Sequence, residues 1–483
     1  MDTIAHIVGV IRQMGVVMTF VNGELQARFM GRIRGLDPQR CLVVPVDVGK
    51  ASAVALVADH YGEILVPPFE FALTETGFAV LVAAVGRARV ERDPAMLRIG
   101  VEAAGQYHRT LVARLQAAGL EVVELNPRAV KDARGQQLLR TLKNDARDCG
   151  AMAELLIRGS GRPPQCRDEA LAAQAAWVAH RRRKVAAQVV LGNQIHGQLD
   201  LIFPGLTGCF AHGLDAKTLR VLIRDLPDPD RVRRLGVDGV LRFVRRRGVH
   251  MTRPKAQQIV QAAHVALRLF STERRAPLAV LAADWALFEA LDAQICEATA
   301  QLAALLPNTP AGVLLGIPGV GVVNASSYGA AIGDPNRYRD AAAAYRASGL
   351  VPISYESAGR ARPRTGISRE GSVELRRAII DLGRGVGLHH PDFIAYRREL
   401  LARGKPPLVA LIAVGHRAHR LAFAMLRSQR SFDADRWTRA VAGHRHPTDE
   451  QARHGDTPVV GGPPARRDLP AQHTLTHAEV SSN

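Results

Sequence analysis

The stretch LKNDARDCGAMAELL (142–156) opens an otherwise apolar helix on two aspartates, Asp145 and Asp148. Acids in a first helical turn cap orphan amide protons and suit the helix dipole, a reading that needs no chemistry. Residues three apart also share a helix face, so the pair can hold one cation if other carboxylates reach the same place. Two candidates follow from the pattern: Asp47 ends the apolar run CLVVPVD (41–47), and Glu102 ends LRIGVE (97–102). Four gathered carboxylates repel one another unless divalent cations neutralise them. A donor set of oxygens, without His or Cys, selects Mg²⁺ or Mn²⁺. Two such ions about 4 Å apart can activate an attacking oxygen and stabilise a leaving one at a phosphodiester. The plain alternatives are a strand-end turn for Asp47, an ion pair with Arg98 for Glu102, and capping for Asp145 and Asp148. All would have to hold at once.

The surrounding elements decide whether these acids meet. CLVVPVD, AVALVAD (53–59) and EILVPPF (63–69) read as three strands joined by short turns that suit antiparallel neighbours. A helix near 74–88, the strand 97–102, a helix from about Tyr107 to Ala118, the strand EVVEL (121–125), the break Asn126-Pro127 and the acid-led helix follow. A meander followed by alternating helix and strand describes a mixed sheet covered by helices, the order of a ribonuclease-H-like domain. With the first and fourth strands parallel and adjacent, Asp47 and Glu102 share one edge, and the helix after the fifth strand can deliver Asp145 and Asp148 there.

The fold class is therefore α/β followed by mainly α. Residues 1–40 read as an extension, with Met30 nearer the true start. Residues 41–160 form the acidic domain, and 161–308 a helical region in which LAVLAADWALFEALDAQICEATAQLAALL is a coiled-coil candidate with incomplete heptads. Residues 309–430 form a second compact domain, and 431–483, rich in His, Arg, Pro and Gly, a disordered tail. A formal charge of +19 over 483 residues, carried mostly by arginine, points to a polyanionic partner, nucleic acid first. Five scattered cysteines without a CxxC pair argue against structural zinc and for reduced thiols. No uninterrupted apolar run reaches spanning length and no signal peptide opens the chain, so a cytoplasmic, nucleoid-associated protein without membrane contact is expected.

Two further motifs lie downstream. LLGIPGVGVVNASSYGAAIGD (314–334) carries a Pro-Gly-Val-Gly turn as in a helix-hairpin-helix, where the amides of Gly319 and Gly321 can accept a backbone phosphate. GLVPISYESAGRARPRTGISREGSVELRRAI (349–379) places Arg360, Arg362, Arg364 and Arg369 in one loop and Arg376 and Arg377 in the helix after it, a strongly positive surface. Within that loop Ser357 is a candidate nucleophile, a turn-forming serine being the ordinary reading.

Taken together, these segments resemble the DEDD transposases of insertion sequences whose members are bridge-RNA-guided serine recombinases, with a RuvC-like domain and a C-terminal transposase domain. The likeness runs from about Cys41 to Leu426. VPVDVGK resembles the first-acid strand, VEAAGQYHRTL the "E-x-[ST]-G-x-Y" segment, and NPRAVKDARGQQLLRTLKNDARDC the "NP…K-[TN]-D-x-x-D" segment. IPGVGVVNASSYGAAIGDPNRY and GLVPISYESAGR…GISREGSVELRRAI resemble the C-terminal domain. The resemblance implies that Asp47, Glu102, Asp145 and Asp148 bind Mg²⁺ and that Ser357 attacks DNA to give a phosphoserine intermediate. It implies a structured noncoding guide RNA pairing with donor and target DNA, and a homodimer or homotetramer in which one subunit's acids meet another's serine. The chain departs from the pattern at Ser357-Ala358-Gly359, where Ser-Gly is usual, and at Ala104, where Thr or Ser is usual; Ser354 and Ser368 are the alternative serines. Competing readings are a metal-dependent nuclease or junction resolvase that uses water, a sugar-kinase-like ATPase, and a noncatalytic nucleic-acid-binding protein.

Overall fold

The unbroken apolar run at Cys41–Val48 is the mark of a strand covered on both faces, and in a computed structural model of the chain it lies at the centre of a five-stranded sheet. The structure describes residues 24–103, 107–136, 145–164, 168–267, 269–352, 356–357, 360–361, 366–435 and 437. Among the described residues, those up to Gln429 form one compact unit and those from Arg430 belong to another. Most of the proposed tail, 438–483, lies outside the described residues.

The sheet runs β3 (Ile64–Ala72), β2 (Ser52–Ala58), β1 (Cys41–Val48), β4 (Met96–Glu102), β5 (Val122–Leu125). β1 is antiparallel to β2 and parallel to β4, and β5 is parallel to β4. This mixed order is consistent with a ribonuclease-H-like domain. The outer edge of β5 is partly covered by Arg162, which exchanges backbone hydrogen bonds with Glu124 at 2.8 and 3.0 Å.

Helix α1 (Glu24–Ile33) lies within the stretch that the hydropathy pattern leaves outside the domain, yet it packs onto the sheet. Phe29 is buried with Cys41 and Met96, and the Arg98 guanidinium sits 4.4 Å from its ring centroid. Helices α2 (Glu75–Arg92) and α3 (His108–Ala117) cover one face, with Leu81, Val85, Leu111 and Leu115 in the core. Helices α4 (Pro127–Gln136) and α5 (Asp145–Ile157) cover the other, against Val43, Leu56 and Val123.

The helical middle is dominated by α6 (Glu169–Ile202) and α10 (Ser271–Leu305). Arg181 bonds Thr299 and Gln188 bonds Asp292, so position falls on one helix as it rises on the other and the pair is antiparallel. Between them α7 (Lys217–Asp225), α8 (Pro229–Arg245, broken at Gly236) and α9 (Arg253–Val265) fold on a shared apolar core.

The C-terminal part comprises α11 (Val322–Ile332), α12 (Ala341–Ala347), the short strands β6 (Glu356–Ser357) and β7 (Arg360–Ala361), α13 (Val373–His389), α14 (Pro391–Ala402) and α15 (Pro407–Ser428). The Pro-Gly-Val-Gly turn is preceded by a 3-10 segment, Pro310–Gly316, rather than the first α-helix of a helix-hairpin-helix. By length and composition α15 could cross a membrane, but Ala410, Val414, Ala418, Ala422 and Leu426 are buried as a core face.

Candidate functional site

Val46 and Val101 are register partners on the parallel strands β1 and β4, so the next residues, Asp47 and Glu102, stand side by side. Side chains alternate between faces along a strand. Val43 faces the α4/α5 layer, and Asp47, four residues on, faces it too. Gly100 faces α5: a Cβ there would lie 2.6 Å from the Leu156 side chain, so the absent side chain lets the helix approach β4. Glu102, two residues on, shares that face. Arg98, the neighbour that could have neutralised it, hydrogen-bonds Leu156 O at 3.4 Å and lies 3.8 Å from Glu121.

Helix α5 presents Asp148, Met152 and Leu156 along one face at four-residue spacing, all buried. With Leu156 seated on Gly100, Asp148 lies about 12 Å further along the helix. The residue is 4% exposed, and its carboxylate is held by Arg134 from the last turn of α4, whose Nη1 donates to both oxygens at 2.8 Å. That bond gives the Asp148 carboxylate a side-chain partner beyond its own helix. Asp145 begins α5, as the sequence pattern expects.

Arg134 also feels more than one of the acids. Its guanidinium is held above its ordinary range by the Asp148 hydrogen bond first, with Glu102 and then Asp47 adding at longer range. Three carboxylates from two strands and a helix thus act on one cation. Among the described residues no group of three His, Cys, Asp or Glu side chains is close enough to hold a metal ion; the Asp145 side chain falls outside them. The donor set still fits a hard divalent ion, being all carboxylate and already drawing a positive group into its midst. Arg134 was missed by the sequence reading, and so was its helix. The signal was Asn126-Pro127: Asn126 Oδ1 accepts from Arg128 N at 2.9 Å, and proline takes the first helical position.

The serine loop is a hairpin. Ser357 and Arg360 are register partners in β6 and β7, while Pro352 bridges Ile367 and Ser368 N bonds Val351 O at its base. Its anchorage is tight, for a Cβ on Gly349 would lie 2.8 Å from Glu370 N. The Ser357 and Arg360 side chains, and all of Ser354, Arg362 and Arg364, lie outside the described residues. Ser368 serves the hairpin base, donating to Gly349 O at 3.4 Å and accepting from Glu370 N at 3.3 Å. Arg369 is exposed and left-handed at φ 57°. Next to it, Glu370 meets Arg128 of α4 at 3.4 Å, so the hairpin base touches the helix that carries Arg134.

Gly319 and Gly321 behave differently. Gly319 has φ 90°, and a Cβ on it would lie 2.3 Å from Gly385 O in α13, so close backbone packing by itself requires glycine here. Gly321 is exposed, precedes the first turn of α11 and makes no side-chain cap, so amides at that helix start are left to solvent or a ligand.

A transposase family model matches residues 44–204, and a model described as transposase of the IS116/IS110/IS902 family matches residues 311–397; together they span about half of the chain. An uncharacterized 44.8 kDa protein of insertion element IS116 from Streptomyces clavuligerus is 26% identical over 319 residues, covering 66% of this chain and 77% of that protein. An uncharacterized 43.6 kDa protein of insertion element IS110 from Streptomyces coelicolor is 27% identical over 295 residues, covering 59% and 71%. A solved exopolyphosphatase from Cytophaga hutchinsonii overlaps 52% of this chain and 98% of its own at 14% identity and a TM-score of 0.16; the fold assignment rests on strand order instead. With both matched regions in the order the motifs lead one to expect, the chain belongs to the IS110/IS116 family of DEDD insertion-element transposases.

Proposed function

We propose that this transposase, a DNA-cleaving and rejoining enzyme by family, works through a divalent-metal site of Asp47, Glu102, Asp145 and Asp148 and a nucleophilic Ser357. The observation that carries the reading is the adjacency of Asp47 and Glu102 on parallel strands, facing the helix layer from which Asp148 enters. Mg²⁺ or Mn²⁺ held there would neutralise phosphate charge and lower the pKa of a bound oxygen nucleophile. Until an ion binds, Arg134 supplies the compensating charge and keeps the Asp148 carboxylate in place.

In the serine step, Ser357 Oγ loses its proton and forms an Oγ–P bond as one P–O bond of the strand breaks, the departing sugar oxygen taking up a proton. The phosphoserine ester conserves the bond, so a hydroxyl from a second strand can reverse the step and rejoin. Ser357 sits in a hairpin paired with Arg360, a suitable source of phosphate contact. Gly321 and Arg369, both exposed, are proposed phosphate-backbone contacts, as are Arg360, Arg362 and Arg364. Gly319, whose packing against Gly385 fixes the turn, is proposed as a further backbone-amide contact in the same turn. The guide RNA and the homotetrameric assembly rest on the motif resemblance, and the net charge of +19 suits both polynucleotides.

Trapping a covalent protein–DNA adduct on a denaturing gel tests the serine. The adduct is expected with the natural chain and lost with Ser357→Ala, along with cleavage. Adduct-free cleavage that survives Ser357→Ala would favour the reading in which water attacks.

A further inference from the structure

Arg134 lies across the carboxylate of Asp148, its Nη1 2.8 Å from each of the two oxygens. A donor equidistant from both oxygens takes the edge of the carboxylate where a cation held by the pair of them would sit. An arginine in a protein keeps its proton, so it gives up that edge only by moving away.

The two partners differ in their freedom to move. Asp148 is fixed by its helix: the next residue, Cys149, is fully buried and its Sγ donates to Val54 O on β2 at 3.3 Å, while Met152, one turn on, is fully buried as well. Arg134 stands in the last turn of α4 with its side chain 32% exposed, and Val130 and Ala133 seat that helix in the core. The guanidinium can therefore swing towards solvent while both helices stay in place. A clamp between α4 and α5 is the ordinary reading of such a pair. Apolar residues of similar volume, however, join two helices at least as well as a buried ion pair does. A clamp also gives no reason for the cation to stand where the charges of Glu102 and Asp47 reach it too.

We infer that Arg134 is a guard built into the acid site, a competitor that withholds Asp148 from a divalent ion until the ion displaces it. The inference rests on the reading of Asp47, Glu102, Asp145 and Asp148 as a metal site and adds the regulation of that site. A hydrogen bond between charged groups is strong enough to change an affinity roughly ten- to hundredfold. The guarded site thus stays partly empty at ion concentrations that would fill the bare acids.

The test is calorimetric titration of the full chain with Mn²⁺ alone, at a temperature where thermal unfolding shows every variant to be folded. Arg134→Gln is expected to bind the ion roughly tenfold more tightly or better. Arg134→Lys, which keeps the charge and can still hold the carboxylate, is expected to lie nearer the natural chain. In an Asp148→Asn background most of the gain from Arg134→Gln is expected to vanish, because no contested carboxylate is left. That comparison separates displacement at Asp148 from the general benefit of removing a nearby positive charge. A clamp predicts the opposite sign, since a loosened Asp148 would bind the ion less well. Equal or weaker binding by Arg134→Gln overturns the inference and leaves the metal reading standing, as does a gain retained in full with Asp148→Asn. No Mn²⁺ binding by either the natural chain or Arg134→Gln would overturn the metal reading and the inference together.

Discussion

Arg134 donates to both carboxylate oxygens of Asp148 at 2.8 Å, from the end of one helix to the first turn of the next. The carboxylate is buried and the side chain of the arginine is 32% exposed. An internal cation thus stands beside the acids where a divalent ion is proposed, and the two must compete for Asp148.

Arg134→Gln should separate the structural from the ionic role. Without divalent ions, removing the partner of a buried carboxylate is expected to cost about 2 kcal/mol, below the range for a fully buried pair because the arginine reaches solvent. Adding Mg²⁺ or Mn²⁺ should restore most of that loss and raise the melting temperature of the variant more than that of the natural chain. Thermal unfolding with and without the ion checks this; an equal deficit in both conditions contradicts it.

Gly319 and Gly321 should differ under the same substitution. Gly319→Ala forces a Cβ to 2.3 Å from Gly385 O at φ 90°, and a loss of about 2 to 4 kcal/mol in denaturant unfolding is expected. Gly321→Ala meets nothing within 4 Å and should cost about 1 kcal/mol or less, the usual penalty for alanine at a helix start. Similar destabilisation by both changes would contradict the packing role of Gly319.

His419 makes the C-terminal part acid-sensitive. Its Nε2 donates to Ala341 O at 2.8 Å, so Nδ1 is the acceptor for the Tyr328 hydroxyl at 2.9 Å, a network joining α11, α12 and α15. Burial pushes the imidazole down to about 4. The unfolded chain, with histidine near 6.5, then binds the proton that the folded chain refuses. Stability is fully present above about pH 6.5 and falls as pH drops towards about 4, by about 3 kcal/mol from this group. Burial lowers His390 and His416 too, so the natural curve is steeper still. Unfolding free energy measured against pH should flatten over this interval in His419→Gln; an unchanged slope contradicts the assignment.

The acids were legible because each lies at the end of a patterned element. β1 and β4 are apolar runs closed by Asp47 and Glu102, and chain order alone made them parallel neighbours. Arg134 was not legible. Its helix, PRAVKDARGQ, is mostly polar and gives the core Val130 and Ala133, with Ala129 partly buried beside them, so periodicity gives little sign of it. The packing demand on Gly319 was not legible for a related reason: a glycine turn before a helix looks alike whether or not another backbone lies against it, and the demand comes from Gly385, 66 residues on. Helix α1 escaped because, among its described side chains, Phe29 is buried and Ile33 partly so, too short a pattern to show as periodicity.

Titration of Mn²⁺ into the full chain by calorimetry, without nucleic acid, tests the carboxylate site most directly. Asp47→Asn and Glu102→Gln should each weaken binding at least roughly tenfold, the loss expected when a direct metal contact is removed. Affinity unchanged in both variants would mean that the side-by-side acids of β1 and β4 are not where the ion is held.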